Sequence, residues 1–384
     1  MEMENRFVYL DKDYDRVPDV PLDQLGQSEI DQSENSNSLH ETLIPTGDSK
    51  PLASESAQGE FLQPIETSQS MANRLLGLGS ENYQAGRYEA ALDLFKQAYS
   101  LYQATQDDLG QGRSLSSIGL TFYSLKHYSK AIEYSQSALV YAQQTCDRPS
   151  AVISLSTLGN AYRHFKAPDK AIEYQLQSLS LAKEVGDRPG EMAALNNLGL
   201  AYKAVSQYEQ AISYEKQSLV VARELGSRQV EEQILKNLGN ACYALGDYVN
   251  AIDYYQQRLA LARLLQDSRM ESQILRNLGN AYYAVEDYTR SIECGEQRLV
   301  ATRKLDDWRG EEQALGSIGV AYDALGDYAN AIHCYEQRLE IARSMNDSRV
   351  EEQVLGNLKV ACFAIGDYIT AADYAAQRQN LSRK

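Results

Sequence analysis

A Leu-Gly or Ile-Gly pair recurs every 40 residues, with neither insertion nor deletion, at Leu78-Gly79, Ile118-Gly119, Leu158-Gly159, Leu198-Gly199, Leu238-Gly239, Leu278-Gly279 and Ile318-Gly319; the eighth copy reads Leu358-Lys359. A tyrosine follows ten residues after the aliphatic residue in each copy from Tyr88 to Tyr368, except where Pro168 stands. Three residues later comes a small side chain: Ala91, Ala131, Ala171, Ala211, Ala251, Ser291, Ala331 and Ala371. A unit this short cannot bury an apolar face alone and does so by stacking on its neighbours. The repeats therefore predict one elongated array over residues 71–384, with units starting near 71, 111, 151, 191, 231, 271, 311 and 351.

Each unit reads as two helices. In the fifth, Ile234, Leu235, Leu238, Ala241, Cys242 and Leu245 fall on one helical face. Gly246-Asp247 breaks the pattern, and Asp247 can cap a second helix running to about Leu265 that buries Ala251, Ile252, Tyr255, Leu259 and Ala262. Asp107, Asp147, Asp187, Asp267, Asp307 and Asp347, with Ser227 in the same column, are N-cap candidates for the first helix of each following unit. Pro149 and Pro189 sit in a first turn, where a missing amide costs nothing. The Leu-Gly glycine and the Ala251 column are expected on facing helices, small on both sides. Gln379 replaces the Leu259, Leu299 and Leu339 column and Lys359 replaces glycine, the polar exchange expected of a terminal repeat.

Residues 1–70 differ in kind. They carry fifteen Asp and Glu against four Lys and Arg, a net of −11 out of −16 for the whole chain, and five of its eight prolines. High charge with low hydrophobicity cannot offset the entropy of ordering, so this segment is expected to be a disordered acidic tail. The start lacks the basic and then apolar pattern of a secretory signal, and no run approaches a membrane span. Five cysteines, odd in number and mostly in helical columns, fit a reducing cytoplasm.

The columns resemble the tetratricopeptide repeat: Leu-Gly, an aromatic such as Tyr162 or Tyr282, then Gly-x-Tyr-x-x-Ala-Ile in the second helix. The standard unit has about 34 residues. The longer period, with Leu-Gly-Asn-Ala-Tyr and Glu-Gln-Arg-Leu, is similar to the units of Pins/LGN adaptors and of kinesin light chain. The resemblance implies an all-α, right-handed α-solenoid superhelix of about eight helix-turn-helix units, acting as a non-catalytic scaffold. The G-alpha-binding motifs of the Pins type are missing after the repeats, so G-protein regulation does not carry over.

In that family the first-helix face opposite the core lines a concave groove. Here that face holds Asn196 and Asn197 in repeat four, Gln233, Lys236, Asn237 and Asn240 in repeat five, and Gln273, Arg276, Asn277 and Asn280 in repeat six. Amides can bond a peptide backbone, while Lys236 and Arg276 can meet carboxylates. The expected partner is thus a protein segment, extended and acidic. Lys236, Asn240 and Asn277 also match positions of the carboxylate clamp of chaperone-binding members, but Gln313 and Ser317 stand where further cations are needed. Gly316, Ser317, Val320, Gly356 and Val360 suggest a shallow, partly apolar continuation. Arg258, Arg298, Arg338 and Arg378 are expected to pair with Glu271, Glu311 and Glu351 of the next helix, fixing the stacking angle. Tyr123, Tyr243 and Tyr283 border the groove face as interhelical packing.

The alternative reading is autoregulation, in which the acidic tail occludes the Lys236 and Arg276 groove; a flexible 70-residue chain reaches roughly 45 to 50 Å. Nothing in the chain suggests an enzyme, a metal or a cofactor. His40, His127, His164 and His333 lack metal spacing, and no phosphate loop or nucleophile motif is present. A pI near 4.8 without a basic cluster argues against nucleic acid and membrane surfaces.

Overall fold

The computed structural model describes residues 67–381, among which there are 16 helices and no strand. In chain order they are α1 (Ser68–Gln84), α2 (Tyr88–Ala104), α3 (Asp108–Ser124), α4 (Tyr128–Gln144), α5 (Arg148–His164), α6 (Pro168–Val185), α7 (Arg188–Ala204), α8 (Tyr208–Glu224), α9 (Arg228–Ala244), α10 (Tyr248–Leu264), α11 (Ser268–Ala284), α12 (Tyr288–Lys304), α13 (Trp308–Leu325), α14 (Tyr328–Ser344), α15 (Ser348–Ala364) and α16 (Tyr368–Leu381). Odd-numbered helices are the first of each repeat and even-numbered ones the second. The acidic segment expected at 1–70 lies outside the described residues except for its last four. Those four open α1, with the Thr67 hydroxyl accepting from Ser70 N at 3.1 Å.

One turn design separates all of these helices. After α9, Gly246 takes a left-handed φ of 77°, its N–H donates to Tyr243 O at 3.0 Å, and Asp247 N–H donates to Cys242 O at 2.9 Å. This Schellman pair satisfies carbonyls that the helix end leaves free. The Asp247 carboxylate then accepts from Asn250 N at 3.3 Å and starts α10. Left-handed residues recur at 20-residue steps from Gly86 to Gly366, nine of the fifteen being non-glycine, such as Gln266 at φ 56°. Asp107, Asp187, Asp267, Asp307 and Asp347 cap as expected. Ser227 holds the N-cap place without a side-chain bond, and Asp147 instead takes Arg113 Nε at 2.9 Å and Ser150 Oγ at 2.8 Å.

The described chain forms two compact bodies, one ending at Ala161 and the other beginning at Tyr162. In the first, Ala72, Leu75, Ala98 and Tyr102 form an apolar cluster at one end. Farther on, its interior carries small hydroxyls: Ser154 Oγ donates to Ser116 Oγ at 3.1 Å, and Thr157 Oγ1 donates back to Ile153 O at 2.8 Å.

In the second body the expected core is present. Ile234, Leu235, Leu238, Ala241 and Cys242 of α9 are buried, as are Ala251, Tyr255, Leu259 and Ala262 of α10. Ile252 is half-buried and Leu245, at the C-cap, is exposed. In two repeats of this body the Leu-Gly glycine answers a ring: a Cβ on Gly239 would lie 2.4 Å from Tyr255 Cε1, and one on Gly319 2.4 Å from Tyr335 Cε1, whereas Gly199 meets Glu215 and Gly279 meets Cys294 and Ser291, the latter in the Ala251 column. Glycine in mid-helix costs about 1 kcal/mol against alanine, and admitting a buried ring is what offsets it.

Two ladders of ions tie the second body together, and they correct the pairing expected from sequence. Glu231, Glu271, Glu311 and Glu351 do face the preceding repeat, but they accept from Arg223, Arg263, Arg303 and Arg343 at 2.6, 2.7, 2.7 and 2.7 Å. The second nitrogen of each of these arginines reaches Gln257, Gln297, Gln337 or Gln377. The Arg258 column turns inward within its own repeat: Arg258 meets Glu232 at 2.6 Å, Arg338 meets Glu312 at 2.6 Å, and Arg378 meets Glu352 at 3.5 Å. Ser272 stands in this acidic column beside Arg298, which donates to Gln313 at 2.9 Å.

Candidate peptide-binding face

The face expected to receive a partner is carried by α7, α9 and α11, all in the second body. Its character changes along the three helices. In α7, Asn196 and Asn197 are buried. In α9, Asn237 is buried and accepts from Gln233 Nε2 at 3.3 Å, Asn240 Oδ1 accepts from Tyr255 OH at 2.8 Å, Lys236 is half-buried, and Gln233 is exposed. In α11, Gln273, Arg276 and Asn280 are exposed and Asn277 is half-buried. Of the ten expected residues, then, those of repeat six stand open, whereas the amides of repeat four are drawn into the packing.

Against Asn237 of this face lies a residue that the sequence patterns did not single out. Glu215 of α8 is fully buried, and a Cβ on Gly199 would lie 2.4 Å from its Cγ. It occupies the column of Phe95, Tyr255 and Tyr335, which fill the gap beside glycine with a ring, and of Ser135 and Gln175, which are polar and buried. Burial pushes its carboxyl up to about 8, while Lys203 and the Asn237 amide pull the other way. Asn196 Oδ1, Asn237 Nδ2 and both Glu215 oxygens lack a hydrogen bond of good geometry, so polar capacity is concentrated under this face. The available signal was an ionisable residue in a column otherwise made of rings, small residues and an uncharged amide.

Downstream, the shallow apolar groove expected at Gly316 and Gly356 is floored by arginine heads. A Cβ on Gly316 would lie 2.9 Å from Arg338 Cζ, and one on Gly356 3.2 Å from an Arg378 nitrogen. Glycine there makes room for a guanidinium from the second helix. Val320 is 9% exposed and Val360 52%, so apolar surface is offered only at the far end. Tyr243 and Tyr283 pack on Tyr248 and Tyr288 across the turn, with centroids 5.1 Å apart in both pairs.

The cysteines Cys242, Cys294, Cys334 and Cys362 are buried. Burial pushes the first three thiols up to about 11, which keeps them protonated and unreactive at neutral pH. Among the described residues no group of three or more His, Cys, Asp or Glu side chains could hold a metal ion, and no helix is long and apolar enough to cross a membrane.

Comparison with known proteins agrees with the helical pairs. The tetratricopeptide repeat profile matches residues 69–144, 150–224, 230–304 and 270–344. Among solved structures, a signal-transduction ATPase with numerous domains and a tetratricopeptide repeat sensor, from Pyrococcus horikoshii, aligns with a TM-score of 0.56 at 16% identity, over 82% of this chain and 48% of that one. This chain therefore spans about half the length of that protein. The apo form of RapI aligns with a TM-score of 0.51 at 13% identity, over 72% of this chain and 98% of its own. A kinesin-light-chain-like repeat protein from Podosopora anserina aligns at 0.44 and 19% identity, over 52% and 98%. No curated protein matches the sequence.

Proposed function

Since the chain belongs to the tetratricopeptide repeat family, we propose that it is a non-catalytic adaptor holding an extended, acidic segment of a partner protein along the first-helix face of repeats four to six. The observation that carries this reading is the open strip on α11, where Arg276 stands exposed between Gln273 and Asn280, one 40-residue step from Lys236 on α9. Two cations in one column, in a chain of net charge −16, favour a carboxylate-bearing ligand. Exposed amides beside them suit the alternating donors and acceptors of an extended backbone. Five unbridged cysteines, four of them buried, suit a reducing, cytoplasmic setting.

Lys236→Glu combined with Arg276→Glu tests the reading. Partners captured by affinity purification of the full chain are expected to be lost from the double variant while its helical circular dichroism is unchanged. Retention of the same partners by a folded double variant refutes the groove assignment.

The net charge of −11 on residues 1–70 favours one further reading, in which this acidic segment occupies the same strip until displaced. Removing residues 1–66, which spares α1, then raises affinity for an acidic peptide at low salt. Unchanged affinity at low salt excludes it.

A further inference from the structure

Repeat six lacks an aromatic pair that repeats three and four possess. In repeats three and four, Tyr162 and Tyr202 stack flat on Tyr174 and Tyr214, with centroids 5.5 and 5.3 Å apart and planes within 3° and 6°. The register assigns Tyr282 and Cys294 to these roles in repeat six, so the ring that would lie against Tyr282 is replaced by a thiol. A cleft of about 440 Å³ opens there, walled by Leu259, Leu275, Leu278, Tyr282 and Cys294. The adjacent residue also lacks a ring, but its space is taken: a Cβ on Gly295 would lie 2.5 Å from Ile318 Cγ1. Repeat seven carries the same exchange at Tyr322 and Cys334, and there Ile292 and Ile318 close the gap.

We propose that this cleft is a docking site for a tyrosine side chain of a partner protein, flanked in that partner by carboxylates. The stacking platform is already held in place. Gln256 Nε2 donates to the Tyr282 hydroxyl at 2.7 Å, and the Arg290 guanidinium stands 5.5 Å from the ring centroid. An incoming ring would repeat the offset stack that Tyr174 and Tyr214 make inside this same molecule. Arg263 and Arg290 border the cleft against the single carboxylate of Glu293. Arg263 is committed to Glu271 and Gln297. Arg290 is exposed and its pair with Asp287 is longer, at 3.5 Å against 2.7 Å for Arg263 with Glu271, so of the two it is the cation better placed to turn to a carboxylate beside the ring. The volume falls in the range of about 300 to 1,000 Å³ typical of specific pockets. None of the lining residues belongs to the Lys236 and Arg276 strip, so this site stands or falls independently of it.

The test uses the full chain and acetyl-Asp-Tyr-Asp-amide carrying 3-fluorotyrosine, followed by fluorine NMR. Saturable broadening is expected with the unmodified protein. Cys294→Tyr, which restores the internal ring, weakens binding by about tenfold or more, whereas Cys294→Ser keeps it within about threefold. Ala260→Phe, at an exposed lining position whose change spares the core, also weakens binding by about tenfold and decides the matter if Cys294→Tyr fails to fold. The proposal is overturned if the unmodified protein shows no saturable binding, if Ala260→Phe binds as well as it does, or if acetyl-Asp-Leu-Asp-amide competes equally.

Discussion

Replacing Glu215 by glutamine changes how stability depends on pH. The carboxyl has a pKa of about 8 in the folded chain against an ordinary value of 4.5, because burial disfavours its charged form more than Lys203 and Asn237 favour it. Between these values the folded state holds a proton that the unfolded state has released, so stability falls as pH rises from 4.5 and levels off above 8. The interval of about 3.5 pH units, at about 1.4 kcal/mol each, sets a ceiling of about 5 kcal/mol, which water entry and relaxation around the charge reduce to a few. Glu215→Gln is neutral throughout and lacks this slope. In urea titrations of the full chain, the stability of the variant relative to the parent rises by a few kcal/mol between pH 5 and pH 9. Hydrogen exchange at α7 and α8 locates the effect, because repeat arrays open locally. A difference that stays constant across this range means that Glu215 is solvated or ionised at neutral pH, and refutes the account of the buried acid.

Two further substitutions probe the helix contacts. Gly239→Ala drives a methyl into Tyr255 and destabilises by about 1 to 3 kcal/mol, whereas Gly279→Ala, whose nearest neighbour would be 3.6 Å away, gains about 0.5 to 1 kcal/mol of helix propensity. Equal effects in thermal melts would show that close approach does not decide these positions. For the buried Arg338–Glu312 pair, Glu312→Leu alone costs about 3 to 5 kcal/mol by stranding the guanidinium, and adding Arg338→Met recovers most of it. A double-mutant cycle with additive losses would show that the two side chains act separately.

The 40-residue columns made the helical pairs and most caps legible, because apolar spacing and Asp-capped starts are local properties of the chain. Partner choice was less so. Glu231 and Glu232 are neighbours in sequence, yet their side chains leave the helix about 100° apart. One faces Arg223 of the preceding repeat and the other Arg258 of its own, and the same division recurs at Glu311 with Glu312 and Glu351 with Glu352. Column counting sees both acids and cannot apportion them. Asn196 and Asn197 are buried although helical spacing places them on the open face, because burial depends on neighbouring helices that the spacing within one helix does not register. Repeat six alone presented its expected residues much as the helical spacing implied.

The left-handed turn residue has a period of 20, half that of the sequence motif. The left-handed turn is thus shared by every pair of successive helices, and it is side chains that distinguish a first helix from a second. A duplication of 20 residues would pass through the turns undisturbed and yet exchange the roles of all helices after it, setting glycines against glycines and rings against rings. A duplication of 40 preserves both. Growth of such a chain is therefore quantised by its side chains and not by its backbone, which accounts for the absence of any single-helix insertion between residues 68 and 381.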